Sequence, residues 1–234
     1  MPPSLCTLPI LRAAAWSPED LPGPPPAEWV NHVTGPPDLA TVDPLLRRRL
    51  SPLGKGMVAC AARVAEGRGP LRAVFASQHG DPARTLPVLE DLAQGLEASP
   101  TQFSMNVHNA IAGIWSIARR DPSPSISLAG GPETFGWGLV EAWSQLQEEP
   151  GSPVLFVFGD DLLPELLRPF EPRPAPLHAL ALLLGSPATR RLEVKRDPDA
   201  QGKASTQALS LHALLGISGT WHGERGAWSF EVRP

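Results

Sequence analysis

Cysteine is scarce: the chain has 234 residues and two thiols, Cys6 and Cys60. That is too few for a disulfide framework, and neither lies in a CxxC or Cys/His spacing suited to zinc. His178, His212 and His222 fall on separate segments with no carboxylate spacing beside them, so no metal and no cofactor is implied. A reducing compartment, the cytoplasm, is expected. Excess positive charge is missing too. Lys and Arg number 20 against 24 Asp and Glu, a formal net charge of −4, so there is no broad basic field for nucleic acid or anionic lipid. Met1 to Arg12 shows no basic segment followed by a long apolar one. The apolar stretch Leu177 to Leu184 falls far short of the roughly 20 residues that cross a bilayer. No membrane-spanning segment is expected.

What is present suits one packed domain: 42% hydrophobic and 19% charged residues, with 29 Pro and 21 Gly that cluster without a repeating period. Residues 1 to 45 are Pro-dense and read as an extended surface strap, with a short strand only around Leu8 to Ala15. Residues 46 to 185 read as the core, and 186 to 234 as a C-terminal extension of uncertain strands.

Within the core, apolar spacing after Ser51 predicts a helix from Pro52 to Glu66. Leu71 to Ser77 reads as a strand buried on both sides. Asp81 is placed to cap a helix ending at Gly95, with Leu86, Leu89, Leu92 and Ala93 as its inward stripe. Gln102 to Met105 is a brief strand or lead-in. Residues 106 to 120 form a helix with Val107, Ile111, Ile114 and Ile117 on one face. Ser125 to Ala129 is a strand, Glu133 to Gln147 a helix, and Val154 to Asp160 a further buried strand. Three weaker strands are expected at Leu177 to Leu184, Gln207 to Leu215 and Ala227 to Val232, with Trp221, His222 and Gly223 in a turn and Arg196 to Ser205 a mobile linker. Alternating strands and helices predict an α/β domain with a mostly parallel sheet and helices on both faces.

Strand, tight glycine turn and helix in that order present a nucleophile at the end of a sheet. In SISLAGGPETFGWGLVEA, residues 125 to 142, that turn is Gly130, Gly131, Pro132 and Glu133, with neither Cys nor Ser in it. The run FSMNVHNAIAGIWSIARRDPSPSISLAGGPETFGWGLVEAWSQL, with RRRLSPLGKGMVACAARVAE and VFASQHGDPARTLPVLEDLAQG before it, resembles the N-terminal half of beta-ketoacyl synthases. The likeness is to the short chain length factor subgroup of type II fatty acid and aryl polyene polyketide systems, and it covers about residues 8 to 185.

The resemblance implies a thiolase-like half-fold. It also implies that the acyl-accepting Cys of the parent enzymes falls at Pro132 or a neighbour, and that their C-terminal two His and Lys have no counterpart here. Condensation without a thiolate loses its covalent intermediate, so no catalytic residue is assigned to the degenerate elbow. The family's pairing of the strand before the elbow across a two-fold axis implies an interface at Ser125, Ile126, Ser127, Leu128 and Ala129, with His108 and Asn109 close by. The implied partners are a full-length ketosynthase, in a heterodimer, and an acyl carrier protein. Trp115, Phe135, Trp137 and Trp143 are the side chains expected to shape the partner's acyl tunnel, with ordinary core as the competing role.

His79, Asp81 and Arg84 are expected to cluster at the exit of the first core strand. Arg47, Arg48 and Arg49 form a basic patch that could meet an acidic carrier or simply be solvated. Two other functions stay open: an acyltransferase or hydrolase using Ser127, Glu133 or Thr134, and a homodimeric module that binds acyl chains or carriers.

Overall fold

Cys6, Leu8 and Ile10 alternate along one side of a long strand, β1 (Ser4–Ser17), and after a register shift between Ile10 and Arg12 the row continues with Ala13 and Ala15. The structure, a computed structural model, describes residues 4–20, 27–171, 176–200, 219–223 and 225–234. β1 is no fringe of a strap: it lies inside a nine-stranded sheet. Its first half pairs with β7 (Arg190–Asp197), its second with the short parallel strand β2 (Val30–Thr34), and β6 (His178–Leu184) runs along its other edge. The expected Pro-rich strap therefore contributes two strands of the sheet. Pro9 sits within β1 opposite Arg191, and the ladder partners that bury β1 lie far along the chain.

The strand order is β4-β3-β5-β6-β1-β7-β9-β8. β4 (Ser125–Leu128), β3 (Arg72–Ala76) and β5 (Val154–Asp160) are mutually parallel, as helical crossovers require. Every other pairing except β1 with β2 is antiparallel, so the sheet is mixed rather than mostly parallel. Antiparallel ladders join β5 to β6, β6 to β1, β1 to β7, and β7 to β9 (Gly226–Arg233). Within residues 186 to 234 the described strands β7, β8 (Gly219–Gly223) and β9 belong to the same sheet, so Trp221 to Gly223 lie in β8 instead of a turn and Arg196 and Asp197 end β7 instead of starting a linker. The expected strand Gln207 to Leu215 lies outside the described residues.

Helices cover both faces. In α1 (Pro44–Arg47) Asp43 accepts a hydrogen bond from the Leu45 N–H at 2.8 Å. In α2 (Pro52–Val64) the Ser51 hydroxyl accepts from the Gly54 N–H at 3.1 Å and Pro52 takes the first helical position, a cap worth about 1 kcal/mol. α2 and α5 (Ala110–Arg119) pack on one face. α6 (Thr134–Glu148) packs on the other through Phe135, Leu139, Ala142 and Leu146.

β9 brings Trp228 and Phe230 into the same core as the buried face of α6. A Cβ on Gly136 would stand 2.7 Å from the Trp228 ring, so helix and strand meet there at glycine distance.

Three local expectations fail. In α3 (Pro82–Ala93) only Pro82 and Val88 are buried, while Leu89 and Leu92 face solvent, because the main helix or strand that α3 meets is the short helix α4 (Pro100–Ser104). Residues 102 to 104 are helical, started by Pro100. On α5 the buried side chains are Ile111, Ala112, Ile114 and Trp115, whereas Val107 and Ile117 are exposed.

Candidate functional site

β4 ends in an elbow closed by its own hydrogen bonds. Gly131 takes a φ of +59°, a left-handed conformation that glycine adopts without a Cβ penalty. The Thr134 hydroxyl accepts from the Gly130 N–H at 2.8 Å and donates to the Gly131 carbonyl at 2.6 Å. Thr134 is fully buried with both functions engaged, so it is not presented as a nucleophile.

Glu133 points away from the elbow mouth. Buried to 5% exposure, its carboxylate accepts from the Trp228 indole N–H at 3.3 Å and the Arg225 N–H at 3.3 Å, and it pairs with Arg196 at 3.5 Å. The Arg196 guanidinium lies 5.3 Å from the Trp137 ring centre and 5.6 Å from that of Trp228, a cation held against two aromatic rings. Glu133 thus ties the start of α6 to the β7–β9 pair. Residue 132 is Pro, and both cysteines are buried elsewhere: Cys6 in the α6-side core and Cys60 in the α2-side core. Burial pushes the Cys6 thiol up to about 12 and the Cys60 thiol up as well, so neither thiolate forms readily.

β4 is the edge of the sheet, paired with β3 alone among the described strands. Ser125 and Ala129 are exposed, Ser127 and Leu128 half-buried, and Ile126 is 42% exposed. Ile126 and Leu128 lie opposite Val74 and Ala76, which belong to the α6-side core, so both share that face. Beside them runs an open groove of about 400 Å³ bordered by Leu128, Gly130, Trp137, Val140 and Glu141.

The four aromatic side chains do not converge. Phe135 is fully enclosed, edge-on to Phe158 at 5.0 Å, Phe230 at 5.3 Å and Phe156 at 5.8 Å. Trp143 is half-buried against the same core, Trp137 is partly exposed at the groove, and Trp115 is buried on the opposite face of the sheet. His108 and Asn109 are exposed; His108 Nε2 lies 2.9 Å from the Ser77 carbonyl oxygen at the exit of β3.

That exit holds a polar cluster only partly visible in the sequence. Asp160, buried at the end of β5, accepts from the Gln78 N–H at 2.7 Å and the Ser77 hydroxyl at 2.9 Å. Burial pushes its carboxyl up to about 6, against the lowering effect of those two hydrogen bonds. His79 Nε2 lies 2.7 Å from Glu171 Oε2, which also accepts from the Gln78 side-chain N–H at 2.9 Å. Asp81 and Arg84 pair at 3.4 Å, but Asp81 makes no side-chain cap to α3, and burial raises its carboxyl.

The expected His79–Asp81–Arg84 cluster is therefore split, with His79 turned to Glu171. An acidic residue closing an otherwise apolar strand, VLFVFGD, was the available signal for Asp160. Ligand sites in such sheets lie outside the carboxyl ends of the strands. Arg48 and Arg49 are exposed and Arg47 half-buried. Among the described residues no group of three or more His, Cys, Asp or Glu is placed to hold a metal ion, and no helix is long and apolar enough to cross a membrane.

Residues 22–230 match the family model described as beta-ketoacyl synthase, N-terminal domain. The chain belongs to the beta-ketoacyl synthase family. Its thiolase-like fold has a near counterpart in the structure of a ketosynthase in complex with its chain length factor from Xenorhabdus doucetiae. The TM-score is 0.79 and the identity 25%, over 97% of this chain and 99% of the matched one. The ishigamide ketosynthase/chain length factor matches at TM-score 0.57 and 17% identity, over 82% of this chain and 62% of that one. A beta-ketoacyl synthase from Burkholderia phymatum STM815 matches at TM-score 0.52 and 12% identity, over 84% and 57%. This ketosynthase-family chain spans less than two thirds of those last two, and their likeness is one of fold. No curated protein matches it.

Proposed function

We propose that this ketosynthase-family chain is a non-catalytic subunit, a chain length factor, that pairs with an active beta-ketoacyl carrier-protein synthase in type II fatty acid or aryl polyene-like polyketide synthesis. One juxtaposition carries the reading: a strand bearing Ile126, whose outer edge no described strand pairs, stands directly before an elbow that has Pro132 where the family's resemblance sets a cysteine. An exposed edge with apolar side chains invites a further strand. The counterpart from Xenorhabdus doucetiae comes from a complex of a ketosynthase with its chain length factor, which favours the same arrangement here.

The pairing surface is β4 with the adjoining groove, and Trp137 and Leu128 border the space where the partner's acyl chain would end. The family resemblance adds His108 and Asn109 to that surface. Arg47, Arg48 and Arg49 supply the positive charge that an acidic acyl carrier protein would meet. The bonding of Thr134 and Glu133 inside the fold disfavours an acyltransferase or hydrolase built on them.

Co-expression with the ketosynthase encoded beside it, followed by native mass measurement, tests the pairing. The expected product is a 1:1 complex that Ile126→Arg disrupts while the urea midpoint of the lone subunit stays put. A persistent monomer next to a free, active ketosynthase, or chain elongation by the lone subunit, overturns the proposal.

A further inference from the structure

On the α2 side of the sheet, away from α6, a groove of about 500 Å³ remains open. It is deep: Trp16, Cys60 and Trp115 border it although none is more than 4% exposed. Small side chains keep it open, with Ala14 on β1, Ala59 and Ala62 on α2, and Ala118 on α5. Its size, and apolar walls edged by the polar side chains of Asn31, Asp38, Thr41, Arg63, Glu66 and Arg119, are those of small-molecule sites.

The polar groups at its mouth narrow the ligand class. Arg119 is already engaged, donating to the Arg68 and Gly69 carbonyls at 2.9 Å each. Asp38 accepts from the Ala40 N–H at 3.0 Å. Arg63, in the last turn of α2, and Glu66, just beyond its end, have side chains with no hydrogen-bond or ion-pair partner among the described residues. Arginine only donates and a glutamate carboxylate only accepts. Arg63 and Arg119 are balanced by Asp38 and Glu66, so the mouth carries no net charge to favour either a carboxylate or an ammonium.

We propose that this groove binds a net-uncharged amphiphile, its hydrocarbon body against the alanine-lined trough and a head of amide type between Arg63 and Glu66. The amide carbonyl accepts from Arg63 and its N–H donates to Glu66. This site is independent of the pairing surface on β4.

The test is titration of the full chain with octanamide, octanoate and octylammonium, read by calorimetry and by tryptophan emission. Octanamide is expected to bind saturably and about tenfold tighter than either charged counterpart, a difference of roughly 1.4 kcal/mol. Ala62→Phe, on the half-buried flank of α2, should abolish binding, and Ala118→Phe should do the same from the opposite wall. The urea midpoint shows that each variant is folded, and at least one must be for the comparison. Replacing Arg63 and Glu66 together by leucine should level the three affinities. Absence of saturable octanamide binding, unchanged binding in a folded Phe variant, or a charged probe that binds as tightly as the amide overturns the proposal.

Discussion

Removing the Glu133 carboxylate is expected to loosen the β7–β9 pair from α6 without touching any chemistry. In the native chain this group sits at 5% exposure with three partners: the Trp228 indole, the Arg225 N–H and the Arg196 guanidinium. Glu133→Ala leaves the two N–H donors without their acceptor and Arg196 without its counter-charge. An orphaned buried donor costs about 1–3 kcal/mol, and breaking a buried ion pair about 3–5 kcal/mol. Arg196 keeps 21% of its side chain in solvent and can rehydrate, so the lower part of that scale applies. A loss of about 2–3 kcal/mol follows, or roughly 5–10 °C in Tm for a chain of this size.

Glu133→Gln retains an acceptor of the same shape and should lose about 1 kcal/mol. Urea unfolding followed by circular dichroism and by tryptophan emission measures both, and Trp228 should report the change directly. A cost below about 0.5 kcal/mol for the alanine variant refutes the reasoning. So does loss of an acyl-transfer activity with stability intact, which would make Glu133 a catalytic group.

Asp160 has a folded-state value of about 6 against an ordinary 3.8, so the folded chain holds its proton more tightly than the unfolded one. Its contribution is greatest below the unfolded value and is lost as pH rises through 6, on the order of 3 kcal/mol in total. Asp160→Asn keeps the acceptor for Ser77 and Gln78 and should flatten that slope in urea midpoints between pH 4.5 and 7.5; parallel profiles count against the assignment. Phe135→Ala empties a site enclosed by three phenylalanines and should cost about 3–5 kcal/mol, with a near-neutral result placing Phe135 outside the core. Cys6 and Cys60 should resist iodoacetamide at pH 8 in the folded chain and react fully in urea, and rapid labelling of the native chain would contradict their burial.

The amino-acid sequence by itself determined the elements whose neighbours are local. Ser51–Pro52 starts α2 where the capping pattern predicts, and residues 73–76, 154–160 and 178–184 are fully buried within their strands. The glycine elbow falls between β4 and α6, and its lack of a thiol is plain from residues 130 to 133 alone.

Only the tertiary structure decided the rest. β1 is central because Leu192 and Leu182, more than 160 residues away, complete its ladders. Glu133 is a clamp because Trp228 arrives across the sheet, 95 residues on. α3 carries an apolar stripe at helical spacing, yet that stripe faces solvent, because periodicity tells which face of a helix is apolar and not what lies against it. Spacing along a chain encodes contacts within one element, whereas pairing register and the meeting of Trp228 with α6 depend on contacts that close long loops and leave no local period.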